Sequence, residues 1–268
     1  DCTQTASAQV QAFPPIVFEP AADSVLCFGE QNGAIAVSSP DTTLLYSLDG
    51  NAYFQAPLFE NLAAGSYTVY AQDVHGCVEQ QSLQVGQPPE VALSLPDDAT
   101  ILLGDSLVLN IFLPNADLVQ YAWENPAYLS CLDCPNPIAK PLTDIHYVLT
   151  VTNASGCSAT DDMYLRVDKQ LLVYVPNAIS PSAQTDLNWR FALNFGPSVQ
   201  RIKNLQVFDR WGSLVYQIQN AAPNDDSRAW DGKWKGEPAP PGVYVWALEL
   251  ELVDGKIEKM SGDLTVVR

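Results

Sequence analysis

The sequence predicts an all-β protein built of tandem β-sandwich modules in a linear array, and three observations carry that prediction. Twenty prolines and fifteen glycines among 268 residues punctuate the chain too often for long helices. Runs between them alternate apolar and polar positions with period two. The clearest places Tyr244, Trp246, Leu248, Leu250 and Leu252 on one face and Glu249 and Glu251 on the other, a strand half buried and half wet. An ending also recurs. Gly76-Cys77 leads through Val85 to Pro88-Pro89, Gly156-Cys157 runs into Val167, and Cys2 to Val10 is followed by Pro14-Pro15; the spacing of about eighty residues marks an array of similar modules.

Residues 1–15 read as the end of an upstream repeat, cut inside its last strand, which leaves Cys2 without its partner. The first complete module spans 16–88. Its strands are bounded by turn signals at Cys27-Phe28-Gly29, Asn32-Gly33, Asp49-Gly50, Ala64-Gly65 and His75-Gly76, the pattern of a compact sandwich. Cys27 sits at the first strand and Cys77 at the last, so a bridge between them would tie the two ends of the module together. Closing that loop of about fifty residues would stabilise by roughly 4 kcal/mol on the chain-entropy estimate.

The second module spans 89–169. Gly104-Asp105 precedes an apolar run from Leu107, Trp123 is the expected core anchor on a central strand, and Tyr147 to Thr152 alternates as a strand should. Cys131-x-x-Cys134 reads as a local disulfide. A redox role would need the start of a helix in a βαβ unit, and a zinc site would have to recruit His146 and Cys157.

The last module spans 170–268. Leu205 and Val207 alternate with Gln206 before a turn at Trp211-Gly212, and an apolar-rich run resumes at Leu214. Trp230-Asp231-Gly232 marks another turn. Asp254-Gly255 supplies a two-residue turn with positive φ before a final strand through Leu264, Val266 and Val267.

Charge is uneven along the chain. No Lys or Arg precedes Lys140 while sixteen acids do, so that stretch carries −16 of the total −18. Nucleic acid is thereby excluded as a partner of the first two modules, since phosphate binding needs clustered cations. No run approaches the roughly 18 apolar residues of a membrane span.

The residues Val175-Pro176-Asn177, Ser180-Pro181, Phe208-Asp209-Arg210-Trp211-Gly212, Trp230-Asp231-Gly232, Pro241-Gly242-Val243-Tyr244-Val245-Trp246, Gly262 and Val266-Val267-Arg268 occur together and in order. This stretch resembles the type B C-terminal sorting domain of proteins secreted by the type IX system of Bacteroidota, also described as the gliding-motility-associated C-terminal domain. One departure is visible: Ser182 to Phe191 lacks most acids of the loop that usually follows Ser-Pro in that family. The first module resembles the SprB-type repeat of gliding adhesins, and the second an immunoglobulin-like domain of the PKD type. That second family often carries a cysteine near the position of Leu102 to pair with one at Cys157; here it is absent, and the partners of Cys2 and Cys157 stay open.

These resemblances imply the C-terminal region of a large secreted cell-surface adhesin whose last domain is an address. Arg210, Trp211, Gly212, Trp230, Asp231, Gly232 and Arg268 are the residues expected to be read. The implied readers are the type IX translocon and outer-membrane partners of the PorV-like or PorP/SprF-like kind, with a glycan or protein as the adhesin's target. Covalent chemistry is not expected. A triad needs a histidine base, and neither His75 nor His146 adjoins a nucleophile motif. The acid pairs Asp97-Asp98, Asp161-Asp162 and Asp225-Asp226 read as turn residues rather than a glycosidase pair. No cofactor is implied apart from calcium, for which Asp225, Asp226 and Asp231 offer hard oxygens. The alternatives are a carbohydrate-binding accessory fragment of a secreted hydrolase and a filament-forming surface protein.

Overall fold

The computed structural model describes residues 14–114, 120–182 and 188–267; Cys2 and Arg268 lie outside them, as does most of the acid-poor loop after Ser182. Among the described residues regular structure is strand throughout, apart from one 3₁₀ turn at Asp226–Arg228. No helix of the described residues is long and apolar enough to cross a membrane. The chain divides into two compact units. One is Asp1–Ala92 with Leu113–Gln120 and Val151–Ala159; the other is Leu93–Phe112 with Tyr121–Thr150 and Thr160–Arg268.

The first unit holds β1 (Glu19–Asp23), β2 (Gly33–Ser38), β3 (Leu45–Ser47), β4 (Leu58–Leu62), β5 (Gly65–Gln72) and β6 (Val78–Val85). Two antiparallel sheets, in the orders β1-β2-β4 and β3-β5-β6, enclose Phe18, Val25, Ile35, Val37, Leu44, Tyr46, Val69, Ala71 and Val85. The period-two pattern is realised directly: in β2 the buried positions are Gly33, Ile35 and Val37. Gly33 is required by closeness, since a Cβ there would lie 2.6 Å from Val85 Cγ1 and 2.9 Å from the Leu62 carbonyl oxygen.

The expected Cys27–Cys77 bridge does not form. Cys27 is bonded to Cys157, 130 residues on, and Cys77 is free and exposed. The reason is strand direction. Val25 N donates to Gly86 O at 3.0 Å and Gly29 N to Gln87 Oε1 at 3.3 Å, so the Cys27 turn sits at the C-terminal end of β6. Cys77 precedes the N-terminal end of that eight-residue strand, about 25 Å away along an extended chain, whereas a disulfide needs Cα atoms within about 7 Å.

The middle of the chain forms β7 (Ala99–Leu102), β8 (Leu107–Val108), β9 (Gln120–Glu124), β10 (Ile138–Ala139), β11 (Ile145–Thr152) and β12 (Ser158–Asp168), most of which lie in the second unit, while Gln120 and the β11–β12 hairpin tip from Val151 to Ala159 belong to the first. The main sheet runs β7-β12-β11-β9, and β7 lies parallel to β12. Trp123 is not on a central strand: β9 is the sheet's edge among the described residues, and Trp123 is half-buried, edge-on to Tyr147 at 6.0 Å. Tyr147, fully buried on β11, is the aromatic anchor instead; burial pushes its phenol up to about 12. Cys131 and Cys134 are bonded to each other, as the spacing led us to expect.

The C-terminal domain contains β13 (Val173–Tyr174), β14 (Ala178–Ile179), β15 (Asn194–Phe195), β16 (Val199–Phe208), β17 (Leu214–Ala221), β18 (Lys233–Trp234), β19 (Glu237–Pro238), β20 (Gly242–Leu252) and β21 (Ile257–Val266). A five-stranded sheet of order β14-β21-β20-β16-β17 dominates. Its inner face presents Leu205, Val207, Tyr244, Trp246, Leu248, Leu250, Leu252, Leu264 and Val266, and shorter segments close the core with Phe191, Leu193, Phe195, Trp230 and Ala239.

Four hairpins share one turn. In Asp73–Cys77, Asn153–Cys157, Asp209–Ser213 and Leu252–Lys256 the first N–H donates to the last carbonyl, and the glycine N–H donates back to the first carbonyl. The glycines Gly76, Gly156, Gly212 and Gly255 all have φ between 80° and 85°. These are three-residue loops with one residue in the left-handed region. The last corrects the two-residue turn expected at Asp254-Gly255, because only Gly255 there has positive φ.

Replacing Cys27 and Cys157 together by serine removes a closure spanning 130 residues. The expected cost is about 2–5 kcal/mol, read as a lower urea midpoint, with Cys77→Ser as the neutral control.

Candidate recognition surface of the C-terminal domain

The turn between β16 and β17 builds the most exposed aromatic on the domain. Asp209 Oδ1 accepts from Trp211 N at 2.9 Å and from Ser213 N at 2.8 Å, and Gly212 closes the loop with φ of 80°. A side chain that binds its own backbone two and four residues on holds the loop without help from a core. Partial burial alone would raise the Asp209 pKa, but the N–H groups of Ser213 and Trp211 and the Arg210 charge outweigh it and hold the carboxyl below its usual range. Trp211 is left 73% exposed. The Arg210 guanidinium lies 4.2 Å from its ring centroid, a cation over an aromatic face.

This turn borders an apolar row that the sequence reading missed. Leu214 pairs with Phe208, and Phe208 with Val245; directly opposite residues share a face, here the outer one. Val243 and Val245 on β20 are 54% and 48% exposed. The one available signal was the apolar Val243-Tyr244-Val245-Trp246 run, where alternation calls for polar residues at the outer positions. A shallow cleft beside the turn is lined by Arg210, Trp211, Trp234, Pro240, Pro241 and Tyr244, with Lys235 Nζ 4.6 Å from the Trp234 ring centroid.

Trp230 and Gly232, expected among the residues read from outside, are structural. Trp230 is 1% exposed, edge-on to Tyr244 at 5.3 Å and stacked with Tyr216 at 6.3 Å. Its Nε1 donates to Lys233 O at 2.8 Å, and its carbonyl accepts from Phe191 N at 2.8 Å. Tyr216 Oη donates to Arg228 O. Gly232 has φ of 72°, and a Cβ would lie 2.3 Å from Pro181 Cγ, so the glycine exists to let the Ser180-Pro181 segment against the turn. Asp231 is half-buried and faces Lys233, at 3.2 Å to Nζ and 3.1 Å to the backbone N.

The acids proposed for calcium do not converge. Asp225 accepts from Ser227 and faces Arg228 at 3.6 Å; Asp226 pairs with Arg190 at 3.0 Å; Asp231 pairs with Lys233. Among the described residues no group of three or more His, Cys, Asp or Glu side chains is placed to hold a metal ion. The other acid pairs also split between partners: Asp98 caps Tyr164 N, Asp161 accepts from Leu95 N, and Asp162 lies 2.8 Å from His146 Nε2.

Residues 173–266 match the family model described as the CHU_C Type IX secretion signal domain. No curated protein matches the chain in sequence. Among solved structures it is similar to immunoglobulin domains 1–5 of Sidekick-1, at 10% identity and TM-score 0.39 over 94% of this chain and 60% of that one. It is also similar to dimeric latent PorU of Porphyromonas gingivalis, at 11% and 0.25 over 88% of this chain and 25% of that one. A third is a Ca²⁺-stabilised adhesin that helps an Antarctic bacterium reach out and bind ice, at 12% and 0.30 over 91% of this chain and 71% of that one. The chain thus spans about three fifths of the Sidekick-1 fragment. The matched signal domain marks the chain for export by the type IX machinery to the cell surface.

Trp230→Ala is expected to cost about 3–5 kcal/mol and Gly232→Ala more than about 2 kcal/mol, while Trp211→Ala stays within about 0.5 kcal/mol, all by chemical denaturation of the whole chain. The depressed pKa of Asp209 contributes stability above its unfolded value of about 4, lost as pH falls through the lower folded value. Asp209→Asn keeps the acceptor oxygen, as Asn153 does in its own turn, so it is expected to retain the fold and to flatten that acid limb.

Proposed function

We propose that the chain, exported under its type IX secretion signal domain, is the C-terminal part of a surface adhesin, in which modules 16–88 and 89–169 are the displayed stalk and the last domain is the address. The observation that carries the reading is the coincidence of the matched segment with a solvent-facing display: Trp211, held out by the Asp209 turn, with Arg210 against it and Val243, Val245 and Leu214 beside it. Exposed aromatic and arginine side chains beside an apolar patch are what protein partners use as anchors. The partners are taken to be translocon components and PorV-like or PorP/SprF-like outer-membrane proteins. The chain works by recognition, and no residue is assigned a catalytic role.

The acidic surface before Lys140 suits this role. With sixteen acids and no Lys or Arg, that stretch repels its own kind and stays dispersed outside the cell. Relation to gliding motility follows from the resemblance of residues 16–88 to an SprB-type repeat and belongs to the same proposal. A second reading, carbohydrate binding, is favoured by one observation: Trp211 and Trp234 line a common cleft, and indole faces stack on sugars.

In the producing cell, deletion of 173–268 is expected to leave the product in the periplasm. Trp211→Ala with Arg210→Ala is expected to lower the surface-exposed fraction severalfold without a change in denaturation midpoint. Normal export of the truncated chain would reject the address. Glycan-array binding lost on Trp211→Ala would favour the second reading.

A further inference from the structure

The free cysteine and a bonded one occupy the same place in two modules. Cys77 and Cys157 each follow a glycine with φ of 85°, at the tip of the hairpin that leads into the module's last strand. Four residues on, each of those strands grips the chain entering its own module with a side chain: Gln81 Nε2 donates to Phe18 O at 2.7 Å, and Asp161 Oδ2 accepts from Leu95 N at 2.7 Å. From there the entering chain runs alongside the last strand in the same direction, so that Val25 reaches Gly86, and β7 pairs in parallel with β12. Both cysteines are therefore at the entrance end of their modules. Cys157 is bonded to Cys27, whose turn is at the other end, beside Gly86 and Gln87, where the chain leaves.

We propose that Cys77 is the site of an inter-module disulfide: its partner is the Cys27-type turn of a second copy of this module standing ahead of it. The observed bond at Cys157 defines the ligand, a thiol presented by an exit-end turn. Cys77 is exposed and free to meet it, and the Cys27 of its own module lies beyond reach at the opposite end of β6. The sequence ahead of the module repeats the connection as well, since Cys2 to Pro14-Pro15 parallels Cys77 to Pro88-Pro89. Bond formation removes two protons and two electrons from the two thiols, and a disulfide oxidant takes them up and is reduced to two thiols. An exported array meets the oxidising surroundings this requires. Successive copies would then be joined by covalent rungs as well as by the main chain.

The test is a chain in which residues 14–88 are duplicated ahead of residue 14, refolded in oxidised and reduced glutathione, alkylated, digested without reduction and mapped by mass spectrometry. The expected result is a linked peptide joining Cys27 of the added copy to Cys77 of the next, loss of alkylation at that Cys77, and retention of Cys27–Cys157. Alkylation of Cys77 in both copies while Cys27–Cys157 forms would overturn the proposal. A second measurement covers misfolding of the duplicate. In the original chain carrying Cys2→Ser and Cys157→Ser, Cys27 and Cys77 are both expected to be alkylated, and a Cys27–Cys77 bond would overturn it independently.

Discussion

The structure depends on how its hairpins are closed. A three-residue loop with one glycine in the left-handed region imposes a single register on the two strands it joins, and a slip of one residue would turn every side chain to the opposite face. Asp73, Asn153 and Asp209 each add a side-chain oxygen that accepts two backbone N–H groups of the loop. The loop is thus specified by its own residues, independent of core contacts. With the register of β16 and β17 set this way, Val207 goes inward, Phe208 and Leu214 go outward, and Trp211 has nowhere to go but solvent.

The same device serves different ends in different modules. At Asp73 and Asn153 the residue after the glycine is a cysteine, and the turn delivers a thiol to the entrance end of a sandwich. At Asp209 the loop carries Arg210 and Trp211 instead, and delivers a cation and an indole. Function is varied on the loop while the backbone bonds stay the same, which is how a scaffold of strands usually accommodates new roles. The C-terminal domain then adds a second turn of a different kind. Trp230 is drawn into the core and Gly232 gives way to Pro181, so the two tryptophans of otherwise similar Trp-and-Gly motifs end on opposite sides of the protein surface.

Electrostatics follow a similar division. Ten of the chain's thirteen Lys and Arg residues lie in 170–268, and several of them are held in ion pairs. Arg190 pairs with Asp226, Lys233 with Asp231 and Arg201 with Glu251, and these exposed pairs contribute little to stability. Arg210 and Lys235 instead rest on indole rings, which leaves their charge available beside apolar surface. Asp225, Asp226 and Asp231 each face a different cation: Arg228, Arg190 and Lys233.

Much of this could be read from residue order alone. Alternation in Tyr244 to Leu252 determined a strand and its buried face, the glycine-marked signals at His75-Gly76, Trp211-Gly212 and Asp254-Gly255 located turns though not their loop length, and Cys131-x-x-Cys134 determined a local bridge, because each rests on neighbours a few residues apart. What only the tertiary structure decided involves direction and distance between segments far apart. It put Cys27 at the end of β6 remote from Cys77 and joined it to Cys157; it placed Trp123 on an edge strand and gave the anchor role to Tyr147; it buried Trp230 while exposing Trp211 beside Val243 and Val245. A one-dimensional pattern records which face a residue occupies within its own strand. It does not record which strand lies next to it, which way that strand runs, or what covers the face from the other side, and those depend on packing of the whole chain.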